Sequence, residues 1–351
     1  MPHRRIPALV LGGSGYVAGE TIRLLLSHPE FEIGLVTSGS HAGKRIDDAF
    51  PHLTGPIGSQ TFGSPQQAES YFKANKRIAV FAALPHGEGA AIVGPMAALS
   101  GKDAHIVDMS ADFRFSDPKA YHDVYGAPHR APGALKLFHC GLPDIDQGLP
   151  SKHISHPGCF VTATTLACAP LVDRDLANGS FYVSAITGST GSGATPKPTT
   201  HHPTRNGAVW AYEPLRHRHG PEIAMLLRRM STEPVSVAFI PHSGPFSRGI
   251  HATVFTRLRR AATVATLVDV YADFYRQSPF VRVSEKMPSL REVAGTNRCH
   301  IGIAVEGLDV AITSVIDNLV KGAAGGAVQW MNRQFELDES AGLEMPGVGW
   351  A

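Results

Sequence analysis

The sequence predicts an α/β, doubly wound N-terminal domain followed by an α+β domain built on a mixed or antiparallel sheet. Three observations carry this. Strand and helix signals alternate from residue 1 to about 150, as in a parallel sheet covered on both faces. A glycine-rich turn joins the first strand to the first helix. From about Ile154 the texture changes to strand-like runs over 181–187, 235–240 and 250–258 that read as antiparallel.

The first strand is the apolar run Ala8-Leu9-Val10-Leu11, of the kind buried in parallel sheets. Gly12-Gly13-Ser14-Gly15-Tyr16-Val17-Ala18-Gly19 follows and passes into a helix through Leu26. Glycines at 12, 15 and 19 permit a tight turn and close backbone approach to a pyrophosphate, which the helix N-terminus then faces. Gly12, Ser14, Gly15, Tyr16 and Val17 are the expected phosphate and ribose contacts of this Rossmann-type domain.

The second strand, 31–36, ends in Thr37-Ser38-Gly39-Ser40-His41-Ala42-Gly43-Lys44-Arg45. An NAD site places an acid there for the ribose hydroxyls. Hydroxyls and bases stand there instead and suit a 2′-phosphate, so NADP(H) is expected, with Ser38, Ser40 and Lys44 as contacts. The next strand, 77–84, runs into Pro85-His86-Gly87, a loop suited to passing the nicotinamide ribose. A helix over 88–99 and a strand over 105–110 follow, the latter entering Ala111-Asp112-Phe113-Arg114.

Composition narrows the class. The 351 residues are 43% hydrophobic and 18% charged, ordinary for a soluble globular protein of two domains. The net charge of +2 implies no nucleic-acid or polyanion partner. The four cysteines, at 140, 159, 168 and 299, have no paired spacing, which argues against disulfides and structural zinc and suits a reducing cytoplasm. No signal peptide fits ahead of the first strand, and no apolar stretch is long enough to span a bilayer.

The chemistry centres on Ser155-His156-Pro157-Gly158-Cys159. A turn delivers the Cys159 thiol to the start of an apolar, helix-compatible run over 161–172, where unpaired N–H groups and the helix dipole favour thiolate. Such a thiolate can attack an acyl carbon. Its acid/base partner is sought in Leu215-Arg216-His217-Arg218-His219-Gly220-Pro221-Glu222, ahead of a helix over 221–230, with His156 as a local competitor. Of the pair, His217 is expected to be the costlier to lose. His201 and His202 lie in the long 188–219 segment rich in Gly, Ser, Thr, Pro and His, too long to be a neutral connection. Without Cys-x-x-Cys or His-x-x-x-His spacing, no metal is predicted. Arg114 and Arg248 offer guanidinium forks for carboxylate or phosphate. Thiolate, dinucleotide loop and anion clamps together describe an acyl phosphate attacked by cysteine, reduced as a thioester, with inorganic phosphate released.

These motifs, together with Val107-Asp108-Met109-Ser110-Ala111-Asp112-Phe113-Arg114, Pro241-His242 with Ser247-Arg248-Gly249, and Asp317-Asn318-Leu319-Val320-Lys321-Gly322-Ala323-Ala324-Gly325, resemble the N-acetyl-γ-glutamyl-phosphate reductase family of arginine biosynthesis, nearly end to end and in order. The resemblance implies a Rossmann domain over 1–154 completed by a C-terminal helix within 318–351. It implies an aspartate-semialdehyde-dehydrogenase-like catalytic domain over 155–317 and a homodimer or homotetramer. It further implies Cys159 as nucleophile, His217 or His219 as acid/base, and Ser189, Gly191 and Asn318 as additional cofactor contacts. Arg114, Arg248, His201, His202 and Glu222 then serve the substrate.

The family's usual Pro-Gly-Cys-Tyr-Pro-Thr reads Pro-Gly-Cys159-Phe160-Val161-Thr162 here. The stretch 199–205 is similar to a related lysine-pathway branch that reduces an aminoadipyl phosphate held on a small acidic carrier protein. Two other readings stay open on the residues alone: a Cys-His hydrolase or acyltransferase, and an NADP-sensing protein with Cys159 as a redox switch.

Overall fold

The computed structural model describes residues 5–349; the ends of the expected domains at 1–4 and 350–351 lie outside them. Two sheets organise the chain. The first contains β1 (Ile6–Leu11), β2 (Phe31–Thr37), β3 (Ile78–Ala82), β4 (Ala104–Asp108), β5 (Phe138–Cys140) and β6 (His153–Ser155) in the order β2-β1-β3-β4-β6-β5. Every neighbouring pair is parallel. β3 is buried at each position, as its unbroken apolar sequence demands of a strand covered on both faces.

The second sheet contains β7 (Ser180–Thr187), β8 (Trp210–Ala211), β9 (Ser236–Ser243), β10 (Ile250–Arg257), β11 (Val281–Ser284), β12 (Cys299–Glu306) and β13 (Asp309–Ile316) in the order β11-β12-β13-β10-β7-β9-β8. It is mixed, as expected, with one correction: β7 and β9 pair parallel. The reason lies in their connection, which is a long crossover containing the helix His219–Arg228 rather than a hairpin. Helices Cys159–Asp173, His219–Arg228 and Val264–Phe274 pack on one face of this sheet. On the other face Tyr182 and Phe255 are exposed and sit opposite each other across β7 and β10.

The helix Cys159–Asp173 carries Pro170 inside it. Proline has no N–H for the carbonyl four residues back. That carbonyl, Leu166 O, instead accepts the Tyr275 hydroxyl at 2.6 Å, and Ala167 O accepts Tyr271 at 2.6 Å. Both donors come from the helix segment 264–275, so the broken ladder is repaired by packing.

The compact units divide differently from the expected 1–154, 155–317 and 318–351. The first comprises the described residues up to Gly141, Gly148–His156 and Ala323–Glu344, and the second comprises Leu142–Gln147, Pro157–Gly322 and the described tail from Met345. Leu142–Gln147 joins the second because Asp144 is paired there with Lys321 and Ser278. Residues 317–322 stay with it because Asp317 and Asn318 are bonded to the loop at 248–249. Among the described residues, no helix is long and apolar enough to cross a membrane.

Candidate active site

The glycine turn is shaped as a dinucleotide cradle. Gly12 has φ of 77°, and a Cβ there would lie 2.6 Å from Ala83 O. Gly19 packs against the Phe50 ring, with 2.6 Å to a would-be Cβ. Gly15 caps the helix Tyr16–Leu26, and a Cβ there would meet nothing within 4 Å, so the space beside this helix N-terminus is open to a pyrophosphate. Ser14 Oγ accepts from Ser38 Oγ at 3.2 Å, placing the loop after β1 beside the one after β2. Ser40 Oγ pairs with His41 Nδ1 at 2.9 Å, and Lys44 is exposed. Tyr16 and Pro85 are exposed, and Val17 is half-buried. These residues fit an NADP-type dinucleotide: no carboxylate stands between Thr37 and Arg45.

Asp112, which the sequence reading passed over, organises the neighbouring loop. It is buried, and its carboxylate accepts Gly87 N–H at 2.7 Å and Ala90 N–H at 2.8 Å, capping the helix Gly89–Leu99. Asp108 lies at the end of β4; Ser110 donates to its carboxylate at 2.7 Å and His156 N–H to its carbonyl at 2.7 Å. Burial pushes the Asp108 carboxyl up to about 7, against the hydrogen bond from Ser110. An unfolded aspartate ionises near ~3.9. The neutral folded form thus contributes stability fully present below about pH 4 and lost as pH rises through about 7, on the order of 4 kcal/mol. Asp108→Asn cannot titrate and is expected to gain on the parent in denaturant melts between those pH values. A difference independent of pH would mean that Asp108 is ionised in the fold.

Cys159 is the first residue of its helix and half-buried, with Gly158 as the preceding cap in extended conformation (φ −63°, ψ 154°). Glu222, fully buried, accepts Gly158 N–H at 3.4 Å. A Cβ at Gly158 would lie 2.3 Å from His219 Nε2, so only glycine lets this imidazole approach the turn so closely. Gly322 approaches from another side: a Cβ there would sit 2.7 Å from Cys159 Cβ.

The two histidines are separated by this geometry. The helix starts at His219, two residues earlier than expected, and His219 N–H donates to His217 Nδ1 at 3.2 Å. The rings lie 4.6 Å apart. His217 stands behind, edge-on to Tyr212 at 5.4 Å and to Phe160 at 6.0 Å, and burial pushes its pKa down. Of the two rings, His219 is the one that lies against the cysteine's turn. His201 and His202 are exposed on the crossover, which Arg205 anchors by donating to Ser243 Oγ at 2.6 Å. Among the described residues no group of His, Cys, Asp and Glu is gathered to hold a metal.

The arginines are engaged. Arg114 is buried and donates to the carbonyls of His156 at 3.3 Å and Met109 at 3.4 Å. Arg248 grips Asp317 with both Nε (2.8 Å) and Nη2 (3.1 Å). Asn318 accepts Gly249 N–H at 2.7 Å and donates to Thr190 Oγ1 at 3.0 Å, within the turn Ser189–Ser192 that carries Ser189 and Gly191. The sequence reading had Asp317, Lys321 and Gly322 only as members of a motif, without their contacts, and missed Asp144. The Gly-Ala-Ala-Gly-Gly tail was the available signal for close packing.

Residues 7–147 match the semialdehyde dehydrogenase NAD binding domain, and residues 159–318 the semialdehyde dehydrogenase dimerisation domain. An N-acetyl-gamma-glutamyl-phosphate reductase of Dehalococcoides mccartyi is 39% identical over 97% of this chain and 98% of its own. One from Methanococcus maripaludis is 36% identical over the same shares. Aspartate semialdehyde dehydrogenase II of Vibrio cholerae superposes with a TM-score of 0.71 at 13% identity, covering 95% of this chain and 98% of that one. The enzyme of Candida albicans, solved with NADP, superposes at 0.64 and 16% identity over the same shares. Both domains are thus matched in order and relatives align along nearly the whole length, so the chain is an NAD(P)-binding oxidoreductase that belongs to the N-acetyl-gamma-glutamyl-phosphate reductase family of semialdehyde dehydrogenases.

Proposed function

We propose that this chain reduces N-acetyl-γ-glutamyl phosphate to N-acetylglutamate semialdehyde and inorganic phosphate, as a cytoplasmic enzyme of arginine biosynthesis. The observation that carries the mechanism is Cys159 at a helix start with His219 against the residue before it. The helix N-terminus favours the thiolate. The Cys159 sulfur attacks the acyl carbon, the C–S bond forms, and the C–O bond to phosphate breaks. NADPH, when bound in the glycine cradle, supplies the hydride that reduces the thioester. His219 gives a proton to the oxygen as the hemithioacetal forms. It takes that proton back as the C–S bond breaks, the aldehyde leaves and thiolate is restored. Arg114 and Glu222 hold the backbone on the two sides of Pro157, which keeps the nucleophile's turn fixed.

A single assay separates this from a hydrolase. Here NADPH oxidation and phosphate release from the acyl phosphate are expected one for one; phosphate release without NADPH oxidation would favour the hydrolase. Conversion of a carrier-protein aminoadipyl conjugate with none of the free N-acetyl substrate would assign the chain to the lysine branch, with His201 and His202 facing the carrier. The hydroxyl-lined end of β2 predicts a kcat/KM for NADP(H) well above that for NAD(H). A clear NAD preference would overturn the reading of Ser38, Ser40 and Lys44.

For assembly, the exposed sheet face is proposed to pair with a second copy, giving a homodimer or, as a dimer of dimers, a homotetramer. Its centre is Tyr182 (58% exposed) with Phe255 (41% exposed) opposite. Apolar area of this kind marks interaction surfaces. Phe255→Lys is expected to shift the chain toward monomer in size-exclusion chromatography with light scattering; an unchanged mass would place the interface elsewhere.

A further inference from the structure

We infer that Arg248 and Asp317 form a positioning pair for Cys159, acting through the π-helical turn Val320–Ala324 rather than by touching substrate. This rests on the reading of Cys159 as nucleophile, and it departs from the expectation that Arg248 grips an anionic end of the substrate.

Asp317 follows directly on the end of β13. Asp317 is wholly buried. Its Oδ2 accepts Arg248 Nε at 2.8 Å and Gly295 N–H at 2.7 Å. Its Oδ1 accepts Arg248 Nη2 at 3.1 Å, Leu319 N–H at 2.9 Å and Val320 N–H at 3.0 Å. One carboxylate thus binds the loop at 248, the segment at 295 and the first N–H groups of its own following turn. A buried carboxylate of this kind is held by its cation and its N–H donors together.

The turn it starts is irregular. Gly322 N–H donates to Asp317 O at 3.0 Å, five residues back, which makes this a π rather than an α turn. The widened turn presents Gly322 to the nucleophile: a Cβ there would meet Cys159 Cβ at 2.7 Å, Cys159 Cα at 3.1 Å and Ile316 Cδ1 at 3.3 Å. The turn is therefore a wall against Cys159 with no slack. Its other side is fixed by Lys321, fully buried, whose Nζ donates to Asp144 Oδ2 at 2.6 Å and lies 5.3 Å from the Phe280 ring centroid. Ser278 donates to the other oxygen of Asp144 at 2.6 Å.

The Arg248 fork is the geometry a carboxylate takes bidentately, and Asp317 has taken it. Lysine keeps the charge and loses the fork. Arg248→Lys should therefore loosen the turn partially, and Arg248→Met and Asp317→Asn more so. Gly322→Ala should press on the cysteine directly.

The test is alkylation of Cys159 by iodoacetamide across pH, with no substrate or cofactor present, followed by mass spectrometry of the Cys159 peptide in the full chain. Thermal melts accompany it to confirm folding. A displaced nucleophile changes its own reactivity: Arg248→Met and Gly322→Ala are expected to alter the plateau rate about tenfold or to move the inflection, with Arg248→Lys in between. In turnover, kcat should fall while KM for NADPH holds. An alkylation profile within about twofold of the parent for Arg248→Lys and Arg248→Met, with KM for the acyl substrate raised, would overturn the inference and return Arg248 to the substrate. If Asp317→Asn does not fold, the two Arg248 variants and Gly322→Ala still decide. Because no substrate enters the alkylation, altered profiles in a chain that turns over no acyl phosphate would keep the positioning pair and sink the proposed reaction instead.

Discussion

Cys159→Ala is expected to abolish turnover while NADPH still binds. Only this cysteine opens a helix and is half-buried; Cys140, Cys168 and Cys299 are buried. Burial pushes the Cys168 thiol well up and that of Cys299 up to about 12, so neither supplies thiolate near neutral pH. Cys168→Ala should keep most activity and lose some stability, since it leaves a small void inside a helix that is buried from Phe160 to Val172. NADPH titration monitored by fluorescence checks binding, and the coupled assay checks rate. Comparable loss at Cys159, Cys140 and Cys168 would remove the case for a unique nucleophile.

His219→Asn carries the second largest expected effect, a loss of ~10²–10⁴-fold in kcat, the range that a general acid/base group contributes. His217→Asn is expected to cost less. Its Nδ1 accepts the His219 N–H at the start of the helix, and a supporting role there is the one we propose for it. The pH profile separates the two roles. Losing the acid/base should flatten one limb of kcat against pH, whereas losing its support should lower the whole profile and keep its shape. The reverse ranking would restore His217 to the acid/base role. Near-parental rates in both variants would direct attention to His156.

What the sequence made legible was whatever lies close together along the chain. The strand, glycine turn and helix from Ile6 to Leu26 are contiguous, as is the turn from Pro157 into the helix at Cys159, and each carries its own chemistry. The mixed sheet was legible as strand-like runs, but pairing direction was not. β7 and β9 run parallel because a long crossover separates them, and no local signal distinguishes that crossover from a functional loop. The helix after His217 begins at His219, two residues before the expected start, because helix ends carry weak local signals. Arg248 was visible as a fork between Ser247 and Gly249, but its acceptor lies 69 residues away. The Lys321–Asp144 pair spans 177 residues. Contacts at that separation leave no periodicity to read, so the pairing of Arg248 with a buried aspartate had no local signal.

The most direct measurement runs the reaction backwards. N-Acetylglutamate semialdehyde is supplied with NADP and inorganic phosphate, and absorbance at the NADPH band is followed for the parent and for Cys159→Ala. The predicted result is NADPH formation that requires phosphate, saturates with it, and vanishes in the variant, because the thioester on Cys159 can be released only by the group that the forward reaction expels. NADPH formation that ignores phosphate, or that persists without Cys159, would contradict the account at its centre.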